Sequence, residues 1–131
     1  MNLFVDASAM VAMLTLEDDF EELGDRLDIA EHRMTSAMAI WETTIALSIG
    51  RGIMMDFARQ DVTNFIAARG VAIVPIGEKE ADAALEAHRR FGKGRHPARL
   101  NMGDCFAYAC ARTNDARLLY KGTDFSKTDL A

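Results

Sequence analysis

With 131 residues, half of them apolar, the chain is long enough for one hydrophobic core and short for two, so a single domain over residues 1–131 is expected. Its apolar stretches are interrupted, as at residues 37–49 by Glu42, Thr43, Thr44 and Ser48, and fall short of the roughly 20 residues a membrane span needs. A net charge of −5 argues against a uniformly basic nucleic-acid binder, although the distribution of that charge matters more than its total.

Leu3-Phe4-Val5 is a short apolar run ending at Asp6, and residues 7–16 have helical composition, which predicts a buried strand, a loop-borne Asp6 and a helix. No basic and apolar leader segment precedes Asp6, so a cytoplasmic location is expected. Residues 17–31 hold eight acids against Arg26 alone, and Phe20, Leu23, Leu27, Ile29 and Ala30 recur at near-helical spacing. That pattern predicts an amphipathic helix with an anionic, solvated face. The rest of the chain carries 14 basic and 12 acidic side chains, so the negative charge is local.

Arg33-Met34-Thr35 reads as a short strand, with Ser36 capping a helix over 37–49 that Gly50 and Gly52 would stop. Residues 54–68 predict another helix closed by Gly70, and the β-branched run 71–75 a buried parallel strand. A helix over 78–91 leads into a loop, and residues 88–103 contain five lysines and arginines, two histidines and no acid. This is a candidate phosphate-backbone footprint, or else a solvated basic loop. Residues 103–113 are again helical, and 117–120 form a last strand before a polar tail. Strands alternating with helices imply an α/β fold with a mostly parallel sheet. Cys105 and Cys110 would project about 140° apart on a helix and so stay reduced.

In open parallel sheets the functional crevice lies at the carboxyl ends of the strands. Asp6 and Asp124 both fall there, although each could be a turn or capping residue. Glu42 shares a helical face with Met38, Ile45, Ala46 and Ile49, where a charge is costly unless a cation meets it or the helix turns it outward. Asp104 opens an alanine-rich helix, where the helix dipole favours an anion and capping is an alternative role. Carboxylates gathered from distant parts of a chain repel unless divalent ions share them, and acids without thiolates or imidazoles suit Mg²⁺ or Mn²⁺. The implied chemistry is phosphodiester hydrolysis. No Walker-type phosphate loop occurs, and the single Asp6 after the first strand lacks the paired aspartates of haloacid-dehalogenase chemistry.

Together, FVDASAMVAML, WETTIAL, HPARLNMGDCFAYACA and LLYKGTDFSKTDL resemble the ordered signature of PIN domains, and in particular of VapC-type toxins. The resemblance implies a PIN-like three-layer α/β/α sandwich and a Mg²⁺- or Mn²⁺-dependent endoribonuclease. It also implies a homodimer, or a larger toxin–antitoxin assembly, silenced by a VapB-like antitoxin. Its metal-binding acids carry over to Asp6, Glu42 and Asp104, with Asp124 as the fourth and Asp129 as a weaker candidate. Ser8 and Thr123 stand beside these acids as supporting hydroxyls, and Arg95 and Arg99 are the preferred RNA-backbone contacts. His96 reads as structural beside Pro97, and Trp41 as core or dimer packing rather than a base-stacking platform. The competing readings are a catalytically inert PIN-fold binding module and a housekeeping nuclease without an antitoxin.

Overall fold

Leu3, Phe4 and Val5 are almost wholly buried because their strand, β1 (Asn2–Val5), is central in the sheet and covered on both faces. The computed structural model describes residues 1–130. In chain order β1 is followed by α1 (Ala7–Leu14), α2 (Phe20–Ile29), β2 (His32–Ser36), α3 (Ala37–Arg51) and α4 (Met55–Arg69). Then come β3 (Ala72–Val74), α5 (Glu78–Phe91), α6 (Met102–Thr113) and β4 (Arg117–Leu119).

The four strands lie in the order β3-β2-β1-β4 and all pair in parallel, Phe4 standing between Met34 and Leu118. Helices flank the sheet on both sides, giving the three-layer α/β/α arrangement expected. The main core joins β1, β2 and β4 to α1, α2, α5 and α6, and a smaller cluster of Leu47, Ala58 and Val62 fills the space between α3 and α4. Ala107, Ala109 and Ala111 are buried, so α6 approaches its neighbours closely, and both cysteines on it are free and buried.

Two expectations need correction. Of residues 71–75 only β3 (Ala72–Val74) forms a parallel strand, and it is the sheet's edge strand with Ile73 57% exposed rather than buried. The α3 helix runs through Gly50 to Arg51 and ends at Gly52, whose φ of 62° is the left-handed turn that glycine adopts without a Cβ penalty. Gly50 is merely tolerated inside the helix.

Candidate active site

Asp6 continues the β1–β4 ladder by one bond, its backbone N–H donating to Leu119 O at 2.9 Å. Its side chain then caps α1: Oδ2 accepts from the Ser8 N–H at 3.0 Å and from Ser8 Oγ at 2.5 Å. The Ser8 hydroxyl oxygen in turn accepts the Lys121 N–H at 3.0 Å. Ser8 therefore both supports a carboxylate and ties it to the chain that follows β4. Burial raises the Asp6 pKa against the lowering effect of the Ser8 bonds, and the charge of Asp124 pushes the same way as burial.

Glu42 is delivered by β2 and α3. Ser36 ends the strand and accepts the Ala39 N–H at 3.1 Å, starting the helix as its cap. The helix is rotated relative to the apolar stripe expected: its buried residues are Ala39, Thr43, Thr44 and Leu47. The threonines can be buried because their hydroxyls donate back to Ala39 O at 2.7 Å and Ile40 O at 2.8 Å. Glu42 consequently sits half-buried at the margin of that face, and Ile49 and Trp41 are exposed. Trp41, at 64% exposure, is not a core residue of the chain. Burial, and secondly the charge of Asp6, raises the Glu42 pKa.

Asp104 belongs to a reciprocal cap at the start of α6. Asn101 Oδ1 accepts the Asp104 N–H at 2.9 Å, and Asp104 Oδ2 accepts the Asn101 N–H at 3.1 Å. The capping role expected as an alternative is thus real, but it does not exhaust the residue. The Asp104 carboxyl also lies within hydrogen-bonding reach of Asp124 and within the field of Asp6. Burial first, then those two charges, bring its pKa up to about 7 against the Asn101 bond. Gly103, one residue earlier, faces Glu42 so closely that a Cβ there would lie on the Glu42 carboxyl group.

Asp6, Glu42, Asp104 and Asp124 therefore each lie within the field of another of the four, whereas Asp129 is elsewhere. It accepts the Tyr108 hydroxyl at 2.5 Å and pairs with Arg90 and Arg112, each at 3.7 Å, which anchors the end of the chain.

While Glu42 lines a different opening, a cleft of about 340 Å³ reaches two of the four acids, Asp104 and Asp124, and is bounded besides by Thr123, Arg99, Lys93 and Lys127 among others. Only part of the basic segment reaches it. Arg99 does, from a backbone at φ 56° that a non-glycine residue rarely adopts. Arg95 is exposed and does not line the cleft, and Arg89 is paired with Glu86 on the surface of α5. His96 is structural: Nδ1 accepts the Ala98 N–H at 3.0 Å and the ring meets Phe91 edge-on. Lys127 was missed in the sequence, although it follows Asp124 by three residues, the spacing of one helical turn.

The donor chemistry fits a hard divalent cation. It consists of carboxylate and hydroxyl oxygens, while the neighbouring Cys105 thiol is pushed by burial up to about 11 and stays protonated. Asp6, Glu42 and Asp104 are all held above their ordinary pKa, so each carries a cost of ionisation that a nearby cation would offset. As they stand the acids meet pairwise: among the described residues no three His, Cys, Asp or Glu side chains converge as one complete metal-holding group.

A parallel α/β/α sandwich with an acidic cluster at the carboxyl edge of its sheet is the architecture of the PIN domain, and residues 3–130 match the PIN domain family model. A VapC ribonuclease of Rhizobium meliloti (strain 1021) is 41% identical, the alignment covering 97% of this chain and 98% of that protein. A ribonuclease VapC of Mycolicibacterium smegmatis is 39% identical over 97% of this chain and 96% of its own length. The crystal structure of a sarcin-ricin loop cleaving VapC toxin of Mycobacterium tuberculosis superposes with a TM-score of 0.77 at 20% identity, covering 99% of this chain and 97% of that one. The chain belongs to the VapC ribonucleases of the PIN-domain family.

Proposed function

We propose that the chain is a toxin endoribonuclease whose Asp6, Glu42, Asp104 and Asp124 hold one or two Mg²⁺ or Mn²⁺ ions against an RNA phosphodiester. When bound, such an ion supplies activation of water and stabilisation of the charge that develops on the phosphate and the leaving oxygen. The remaining work falls to the chain. Arg99, Lys93 and Lys127 bound the cleft and offset the charge of the incoming RNA backbone. Ser8 fixes the rotamer of Asp6 through two hydrogen bonds to Oδ2, and the Asn101 cap fixes that of Asp104. Thr123 lines the same cleft and offers a hydroxyl beside Asp124.

The observation that carries this reading is that Asp104 lies beside Asp124 in a basic-rimmed cleft and within the field of Asp6, acids from three separated parts of the chain. An inert binding module gains nothing from that mutual repulsion. A homodimer working in the cytoplasm and restrained by a VapB-like antitoxin completes the proposal. Its test is expression with and without the small neighbouring reading frame: growth arrest relieved by co-expression supports a toxin, and absence of arrest favours a housekeeping nuclease.

A further inference from the structure

Lys121 is held from two directions. Its backbone N–H donates to Ser8 Oγ at 3.0 Å, the same hydroxyl that donates to Asp6 Oδ2 at 2.5 Å. Its ammonium lies 3.0 Å from Glu17 Oε1 and 3.1 Å from Asp19 Oδ1. Both acids come from the turn between α1 and α2, so they are not part of the solvated helical face to which the sequence assigns them. That turn is itself held by its own backbone. Glu17 N–H donates back to Ala12 O at 2.9 Å, and Leu16 between them adopts φ 55°, a left-handed conformation unusual for a side chain of its size.

Asp124 lies three residues beyond Lys121 and Thr123 two, on the loop whose near end these contacts pin. Ser8, Glu17, Glu42 and Lys121 line a second opening, of about 460 Å³, which shares no lining residue with the basic-rimmed cleft. An unpaired lysine in such an opening would be another phosphate contact, but the charge of Lys121 is already matched by two partly buried carboxylates.

We infer that Lys121 is a positioning residue: clasped by Glu17 and Asp19 and bonded to Ser8, it fixes the loop bearing Asp124 against Asp6. Carboxylates from the two ends of the chain are thereby set at a working separation. This inference rests on the site reading above, and it adds Lys121, Glu17 and Asp19 to the residues on which the site depends. None of the three need touch RNA.

The test uses the full chain with Lys121→Met, Lys121→Arg and the double variant Glu17→Gln/Asp19→Asn, which breaks the same clasp while keeping the lysine. Mn²⁺ affinity is read by titration calorimetry without RNA, and kcat and KM are read on an RNA substrate. Lys121→Met and the double variant are expected to weaken Mn²⁺ binding about tenfold and to lower kcat, since outer partners of metal ligands typically act by about 10–100-fold. KM stays near that of the wild type, and Lys121→Arg recovers most of the loss. A raised KM with unchanged Mn²⁺ affinity in Lys121→Met, or tighter RNA binding in the double variant, would overturn the clasp and make Lys121 an RNA contact. Unchanged values throughout would also overturn it. Asp124→Asn separates the two layers of argument: if it binds Mn²⁺ like the wild type the site reading itself fails, and if it alone is weakened only the clasp fails.

Discussion

Gly103 stands directly against the carboxyl group of Glu42, so that a Cβ at position 103 would occupy the space of the Glu42 oxygens. The contact brings the start of α6 onto α3 and makes the placement of Glu42 depend on a side chain that is not there. Neither residue's neighbours in sequence reveal it.

Gly103→Ala is therefore expected to displace Glu42 and lower RNA cleavage by about 100-fold, the scale of a misplacement of roughly 1 Å at a reacting centre. Folding should survive, because alanine is the better helix former. Gly50→Ala is the control: nothing lies within 4 Å of a Cβ there, so stability should rise by about 0.5–1 kcal/mol with cleavage unchanged. Thermal melts and initial rates on the two variants check both statements.

The Asp104 carboxyl titrates near pH 7 when folded, against an ordinary value of 3.8, chiefly because it is buried. A raised pKa in the folded state means that the stability it contributes is complete below about pH 4 and is lost as the pH rises through 7. Asp6 and Glu42 act with the same sign. The metal-free protein should therefore melt at a lower temperature at pH 8 than at pH 5. Asp104→Asn should remove part of that loss, raising the metal-free melting temperature at pH 8 by on the order of a few °C while abolishing cleavage. Protons compete with cations for these oxygens, so Mn²⁺ should stabilise the wild type more at pH 8 than at pH 6. Melting curves at the three pH values, with and without Mn²⁺, decide the sign.

Arg99 and Lys127 line the cleft beside Asp104 and Asp124. Replacing either with alanine should raise KM for RNA and reduce the slope of log affinity against log salt by about 1. Arg95→Ala, though the sequence puts that residue forward equally, should do less, since its side chain is not at the cleft. Arg89→Ala should do least. A salt series on the four variants gives the ranking.

Asp124 and Asp129 separate site from scaffold. Asp124→Asn should lose cleavage without losing stability. Asp129→Ala leaves Tyr108, Arg90 and Arg112 without their shared acceptor, so it should cost about 1 kcal/mol of stability and change cleavage by less than about twofold. Denaturant unfolding of both variants beside their cleavage rates checks the contrast.

Much of this was legible in the sequence, because strand-then-acid order and helix caps are local properties. Val5-Asp6, Ser36 and the acid opening the 103–113 helix each mark an element boundary that the structure keeps to within a residue, while the reciprocal Asn101 cap shows only in the structure. The rotation of α3 was not legible, since hydrophobicity counts Thr43 and Thr44 as polar while their hydroxyls are satisfied within the helix. Nor was the exposure of β3, because position at a sheet edge depends on strand order rather than on β-branched composition. The ion pairs of Asp129 with Arg90 and Arg112 and of Lys121 with Glu17 depend on contacts between residues far apart in the chain, and no local pattern encodes them.

The most direct test is cleavage of RNA by the purified chain and by Asp104→Asn, each with Mn²⁺ and with EDTA. Cleavage by the wild type with Mn²⁺, its loss in EDTA, and no cleavage by a folded Asp104→Asn protein is the predicted result. Equal cleavage by Asp104→Asn, or wild-type cleavage that persists in EDTA, would contradict the assignment of the acidic cluster as the catalytic metal site.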